Sequence, residues 1–95
     1  MAPRTFLLER YWPGVTPGLA AEATQRLLEA AAGSAGNQTP VRHLASALLP
    51  VDEVLFTFIE ADSVTSVRAL SDRAAFRADR ISESVAVGPP TERDA

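Results

Sequence analysis

From Thr5 to Trp12 apolar and polar positions alternate, with Phe6, Leu8 and Arg10 to one side and Leu7, Glu9 and Tyr11 to the other. That is the two-residue period of a β-strand. Pro13-Gly14 stops it as a turn. Thr16-Pro17 then reads as an N-cap followed by a proline at the first helical position, where its missing N–H costs nothing. Beyond it Leu19, Ala23, Leu27 and Ala31 recur every four residues, with Ala20 and Ala30 widening the stripe. This pattern predicts an amphipathic helix over 17–32, with Glu22 and Arg26 as an i,i+4 pair on its polar side. Gly33-Ser34-Ala35-Gly36-Asn37 closes the helix in a loop.

After Pro40 the alternation is looser. Arg42, Leu44, Ser46 and Leu48 stand against Val41, His43, Ala45 and Ala47, and Pro50-Val51-Asp52-Glu53 reads as a hairpin connection. Val54 to Glu60 is the clearest strand, with Val54, Phe56 and Phe58 opposed to Leu55, Thr57 and Ile59. Asp62 or Ser63 caps a second helix carrying Val64, Val67, Leu70 and Ala74 at helical spacing. A last strand is expected over 81–87, with Ile81, Glu83, Val85 and Val87 opposite Ser82, Ser84 and Ala86. The order strand, helix, strand, strand, helix, strand, joined by right-handed crossovers, predicts a ferredoxin-like βαββαβ antiparallel sheet with both helices on one face. Residues 1–87 form the single domain and 88–95 a flexible tail.

In that topology the first and third strands are the central pair. An antiparallel sheet with helices on one side alternates apolar and polar positions, and these two strands do not. Phe6, Leu8, Phe56 and Phe58 are expected together on one face, with Leu7, Leu55 and Ile59 on the other. At ~25 cal/mol per Å² of apolar surface, leaving several such side chains in water forgoes several kcal/mol. The expected cover is a second copy, sheet against sheet, in a two-fold homodimer.

Composition narrows the chemistry. Ninety-five residues hold one core, and 46% hydrophobic with 22% charged residues is ordinary for a globular fold. With no cysteine, disulfides, thiolate metal sites and a cysteine nucleophile are excluded. The net charge is −3 and all nine basic residues are arginine. Arg73, Arg77 and Arg80, interleaved with Asp72 and Asp79, read as a self-paired surface. Phe56-Thr57-Phe58-Ile59-Glu60 resembles the third-strand motif of RNA-recognition domains, with Phe6 available as a first-strand aromatic. However, Val54-Leu55 stands where Arg/Lys-Gly belongs, Ala61 replaces the final aromatic, and the charge opposes a phosphate backbone, so no nucleic-acid partner is expected. No apolar run approaches the ~20 residues of a membrane span, and Glu9 interrupts the short run at 6–8. A cytoplasmic protein without membrane contact is the expectation, which leaves the glycosylation sequon Asn37-Gln38-Thr39 without meaning.

His43 is the single histidine and suits general-base or ligand work. Were Glu9, Tyr11 and strand-end carboxylates to converge on it, a polar pocket would form; otherwise those carboxylates pair with Arg10, Arg42 or Arg80. Trp12 is a candidate wall for a pocket mouth. Ser46 has no base beside it in sequence, and neither a phosphate-binding glycine loop nor any other catalytic motif is present.

Leu8-Glu9-Arg10, Arg42-His43-Leu44-x-Ser46, Asp52-Glu53, Phe58-Ile59-Glu60-Ala61 and Asp79-Arg80-Ile81-x-Glu83 together resemble the small bacterial ferredoxin-like family of nickel-binding or unknown function. The resemblance spans about residues 4–87. It implies a dimeric α+β barrel or sandwich with the helices outside. It also implies nickel or zinc as candidate ions; because nickel prefers imidazole and thiolate donors, such a site would draw on His43 from both subunits plus carboxylates. The expected function is a non-catalytic homodimeric module binding a small ligand or metal ion near His43, with Arg10, Glu9, Tyr11 and Trp12 as further pocket candidates. The alternative is a cofactor-independent dimeric α+β barrel enzyme, with His43 as acid/base and Tyr11 or Arg10 orienting the substrate.

Overall fold

The computed structural model describes residues 3–33 and 40–88. The expected loop at 34–37, the sequon and the tail from Pro89 onward fall outside them. The elements are β1 (Arg4–Tyr11), α1 (Pro17–Gly33), β2 (Arg42–Leu49), β3 (Val54–Ala61), α2 (Val64–Arg73) and β4 (Arg80–Ser84). They form one four-stranded sheet in the order β2-β3-β1-β4, with every pairing antiparallel. This is the ferredoxin-like α+β arrangement that the alternation of periods predicts.

The register assigns the faces. Phe6 lies opposite Ile59, Leu8 opposite Thr57 and Arg10 opposite Leu55. Directly paired residues share a face, so Phe6, Leu8, Leu55 and Ile59 look toward the helices. There they join Ala23 and Leu27 of α1 and Val67 and Leu70 of α2 in one buried cluster. Leu7 pairs with Phe58, and Glu9 with Phe56. The expected grouping of Phe6 and Leu8 with Phe56 and Phe58 is therefore corrected: the β3 phenylalanines share the open face with Leu7. The strand pattern supplied the parity within each strand, but the offset between strands is set by pairing.

β4 is shorter than expected. It ends at Ser84, the partner of Thr5, and Val85 and Val87 are 80% and 90% exposed. Its partner β1 starts at Arg4, and Pro3 before it has no N–H to extend the ladder.

Local chemistry fixes the corners. Ser63, not Asp62, is the N-cap of α2, its hydroxyl accepting from the N–H of Ser66. α2 ends with the N–H of Phe76 bonded to Ser71 O at 2.9 Å and that of Ala75 to Asp72 O at 3.2 Å. This double closure needs a left-handed residue, and Ala75 supplies it at φ 51°. The turn after β1 uses Gly14 at φ 79°; its N–H donates to Glu53 Oε2 at 2.6 Å, tying the turn to the β2–β3 hairpin.

Candidate functional site

β2 departs from a regular strand in one place. Arg42 pairs with Glu60 and His43 with Ile59, but the next pair is Ala45 with Phe58, so Leu44 is an extra residue in a bulge. In an unbroken strand His43 and Ser46, three apart, would point to opposite faces. The bulge turns both toward α1.

There they join a chain of polar groups. His43 Nε2 is 2.9 Å from Ser46 Oγ, and Ser46 Oγ is 3.0 Å from Thr57 Oγ1. Thr24 on α1 donates to Ser46 Oγ at 3.4 Å. Thr57 is fully buried, so its hydroxyl needs a partner, and Ser46 supplies one. A serine hydroxyl carries one proton and two lone pairs, so three neighbours saturate it. Burial pushes the His43 pKa below its usual value, which favours the neutral ring beside these hydroxyls. Sequence reading paired Ser46 with no base; the missing signal was the bulge.

Ser46 and Thr24 also floor a groove of about 450 Å³ between α1 and the β2–β3 edge, whose walls include Ala20, Leu28, Leu48 and Leu55. The lining is mostly apolar, contains no carboxylate, and does not include His43, which reaches the groove only through Ser46. A smaller hollow of about 270 Å³ lies between α2 and β4, beside Arg68, Asp72 and Arg77.

The remaining sequence candidates do not converge on His43. Glu9 and Tyr11 lie on the open face; Glu9 is 3.7 Å from Arg80, and Tyr11 is 56% exposed. Arg10 lies on the helix face, four residues along β1 from the position level with His43, about 13 Å at ~3.3 Å per residue, and two strands away. Its guanidinium stacks on Trp12, 3.8 Å from the ring centroid. Trp12 packs against the core and donates its N–H to Glu53 O at 2.8 Å. The strand-end carboxylates do pair with arginines: Glu60 with Arg42 at 3.2 Å and Glu83 with Arg4 at 3.3 Å. Arg77 pairs with Asp79 at 3.5 Å. Arg26, expected to pair with Glu22, donates to Ala74 O at 3.3 Å. Phe6, only 3% exposed under the helices, offers no stacking surface beside Phe56 and Phe58. Among the described residues, no three His, Asp or Glu side chains come together to hold a metal ion, and no helix is long and apolar enough to cross a membrane.

Fold and site together define a small ferredoxin-like α+β protein with an apolar groove between its first helix and an edge strand. Among solved structures the chain is similar to that of SCO4226 from Streptomyces coelicolor A3(2), with 21% identity and a TM-score of 0.74, covering 88% of this chain and 99% of that one. The likeness is one of fold. No family model matches the sequence, and no curated protein does.

Proposed function

We propose that the protein is a non-catalytic homodimeric module that binds a small, mostly apolar molecule carrying one hydrogen-bonding group. The observation that carries this reading is the groove over Ser46: apolar walls, two hydroxyls at the floor, and no carboxylate to pair with a base. Ligand pockets combine such walls with a few fixed polar groups. Thr24, which lines the groove and gives its one proton to Ser46, is a hydroxyl of that kind, with lone pairs left to accept from the ligand. The acid/base reading of His43 gains no support from this lining, because the ring faces Ser46.

The dimer forms through the open sheet face, where Leu7, Phe56 and Phe58 remain partly exposed. Its charged residues are paired within the chain, Arg42 with Glu60 and Glu9 with Arg80. The face therefore carries little charge with which to select a charged partner, and an identical apolar surface fits it under two-fold symmetry.

Native mass spectrometry together with titration of Nile red, an uncharged apolar dye, tests both parts. The expected result is a mass of two chains and a saturable gain in dye fluorescence that Ala21→Trp, which fills the groove, removes. A one-chain mass at micromolar concentration overturns the dimer. Dye binding that is absent, or the same in Ala21→Trp, overturns the groove.

A further inference from the structure

At the end of the sheet away from His43, Arg10 lies within electrostatic reach of two arginines from other parts of the chain. Arg10 comes from β1, Arg26 from α1 and Arg77 from the segment that joins α2 to β4. Arg10 is clamped flat: Trp12, two residues on and so on the same face, lies 3.8 Å beneath its guanidinium, and Phe76 lies 5.5 Å away. Its Nε and Nη1 are buried and have no hydrogen-bond partner. Buried donors of a cation are almost always paired, so these two point to an acceptor that the described residues do not provide.

The neighbours do not provide it either. Arg77 spends Nη2 on Tyr11 O at 3.0 Å, and Arg26 spends Nε on Ala74 O at 3.3 Å. The one carboxylate that acts on Arg10 is Asp79, which already accepts from the Tyr11 N–H at 2.7 Å and pairs with Arg77. On Arg10 itself two neighbouring arginines thus act against one carboxylate. We propose that Arg10, Arg26 and Arg77 form a binding site for a small oxyanion, a carboxylate or a phosphate, which docks against the guanidinium held on Trp12. A planar guanidinium presents its donors as a fork that matches both anions. The electrostatics agree: burial first, then Arg77 and then Arg26 lower the Arg10 pKa, which describes a cation short of counter-charge. This site is independent of the groove over Ser46.

Trp12 is the single tryptophan in the chain, so its fluorescence reports on the site directly. The full chain is titrated at pH 7 with inorganic phosphate and, separately, with acetate; sodium chloride of equal ionic strength is the blank. The expected result is a saturable change with at least one of the two anions and none with chloride, and the tighter of the two names the headgroup. Arg10→Lys keeps the charge but loses the planar fork and should weaken binding at least tenfold. Arg26→Ala and Arg77→Ala alter exposed side chains, keep the protein folded, and should each weaken binding several-fold. No saturable change with either anion overturns the proposal. So do identical curves for the wild type and the Arg26→Ala/Arg77→Ala double variant.

Discussion

His43 Nε2 and Ser46 Oγ stand 2.9 Å apart on one face of β2, although a regular strand would separate them across the sheet. Their meeting depends on the extra residue at Leu44, and it has a pH signature. Burial lowers the His43 pKa, so the unfolded chain takes up the proton more readily than the folded one. The stabilising contribution of the neutral ring is present above the unfolded value of ~6.5 and is lost as pH falls through the folded value. Urea midpoints at pH 7 and pH 5 should differ more in the wild type than in His43→Gln. An equal difference in the two proteins removes His43 as the cause.

Ser46 satisfies Thr57, whose side chain is fully buried. Ser46→Ala strands that hydroxyl and should cost about 1–3 kcal/mol, whereas replacing both partners with apolar groups of similar shape approaches neutrality. Ser46→Ala/Thr57→Val should therefore recover most of the stability lost in Ser46→Ala, as read from chemical denaturation. If the double variant is less stable than the single one, the hydroxyl pair is not the source of the loss.

Ala75 holds a left-handed conformation at the end of α2, where a side chain with Cβ is strained and glycine is the usual occupant. Ala75→Gly should stabilise the fold by about 0.5–1 kcal/mol, the strain relief outweighing the added freedom of the unfolded chain. Calorimetry should then show Tm raised by roughly 2–8 °C. An unchanged or lower Tm would mean that Ala75 is not strained.

The face assignment separates two phenylalanines that sequence reading grouped together. Phe6 is buried under the helices, and Phe58 lies on the open face opposite Leu7. Phe6→Asp should abolish cooperative unfolding, because it buries an unpaired charge. Phe58→Asp should leave circular dichroism unchanged and, on the dimer proposal, halve the mass seen by sedimentation. If both variants unfold alike, the two faces are not distinct in the way the register requires.

The element order was legible because each segment keeps one period long enough to read: α1 its four-residue stripe, β3 its strict alternation. What could not be read was how the strands line up. Parity along β1 and β3 splits each into two sets, but nothing in the residues says which set of one joins which set of the other. Only the pairing of Phe6 with Ile59 decides it. Leu44 was hidden for a related reason, since an added residue in a loosely alternating strand looks like weak alternation. The cluster around Arg10 was missed because its members lie 16 and 67 positions away along the chain, at Arg26 and Arg77, and only the folded backbone brings them together.

The irregularity at Leu44 also bears on how the molecule keeps its own company. β2 is a border of the sheet, and a straight eight-residue border is a template on which further chains can add end on end. With one residue out of step, its outward hydrogen-bonding row is broken near its first residues, and a visiting strand finds no continuous ladder along the whole border to copy. Growth by that route is therefore discouraged, and any association is steered to broad surfaces that close upon themselves instead of to fibres.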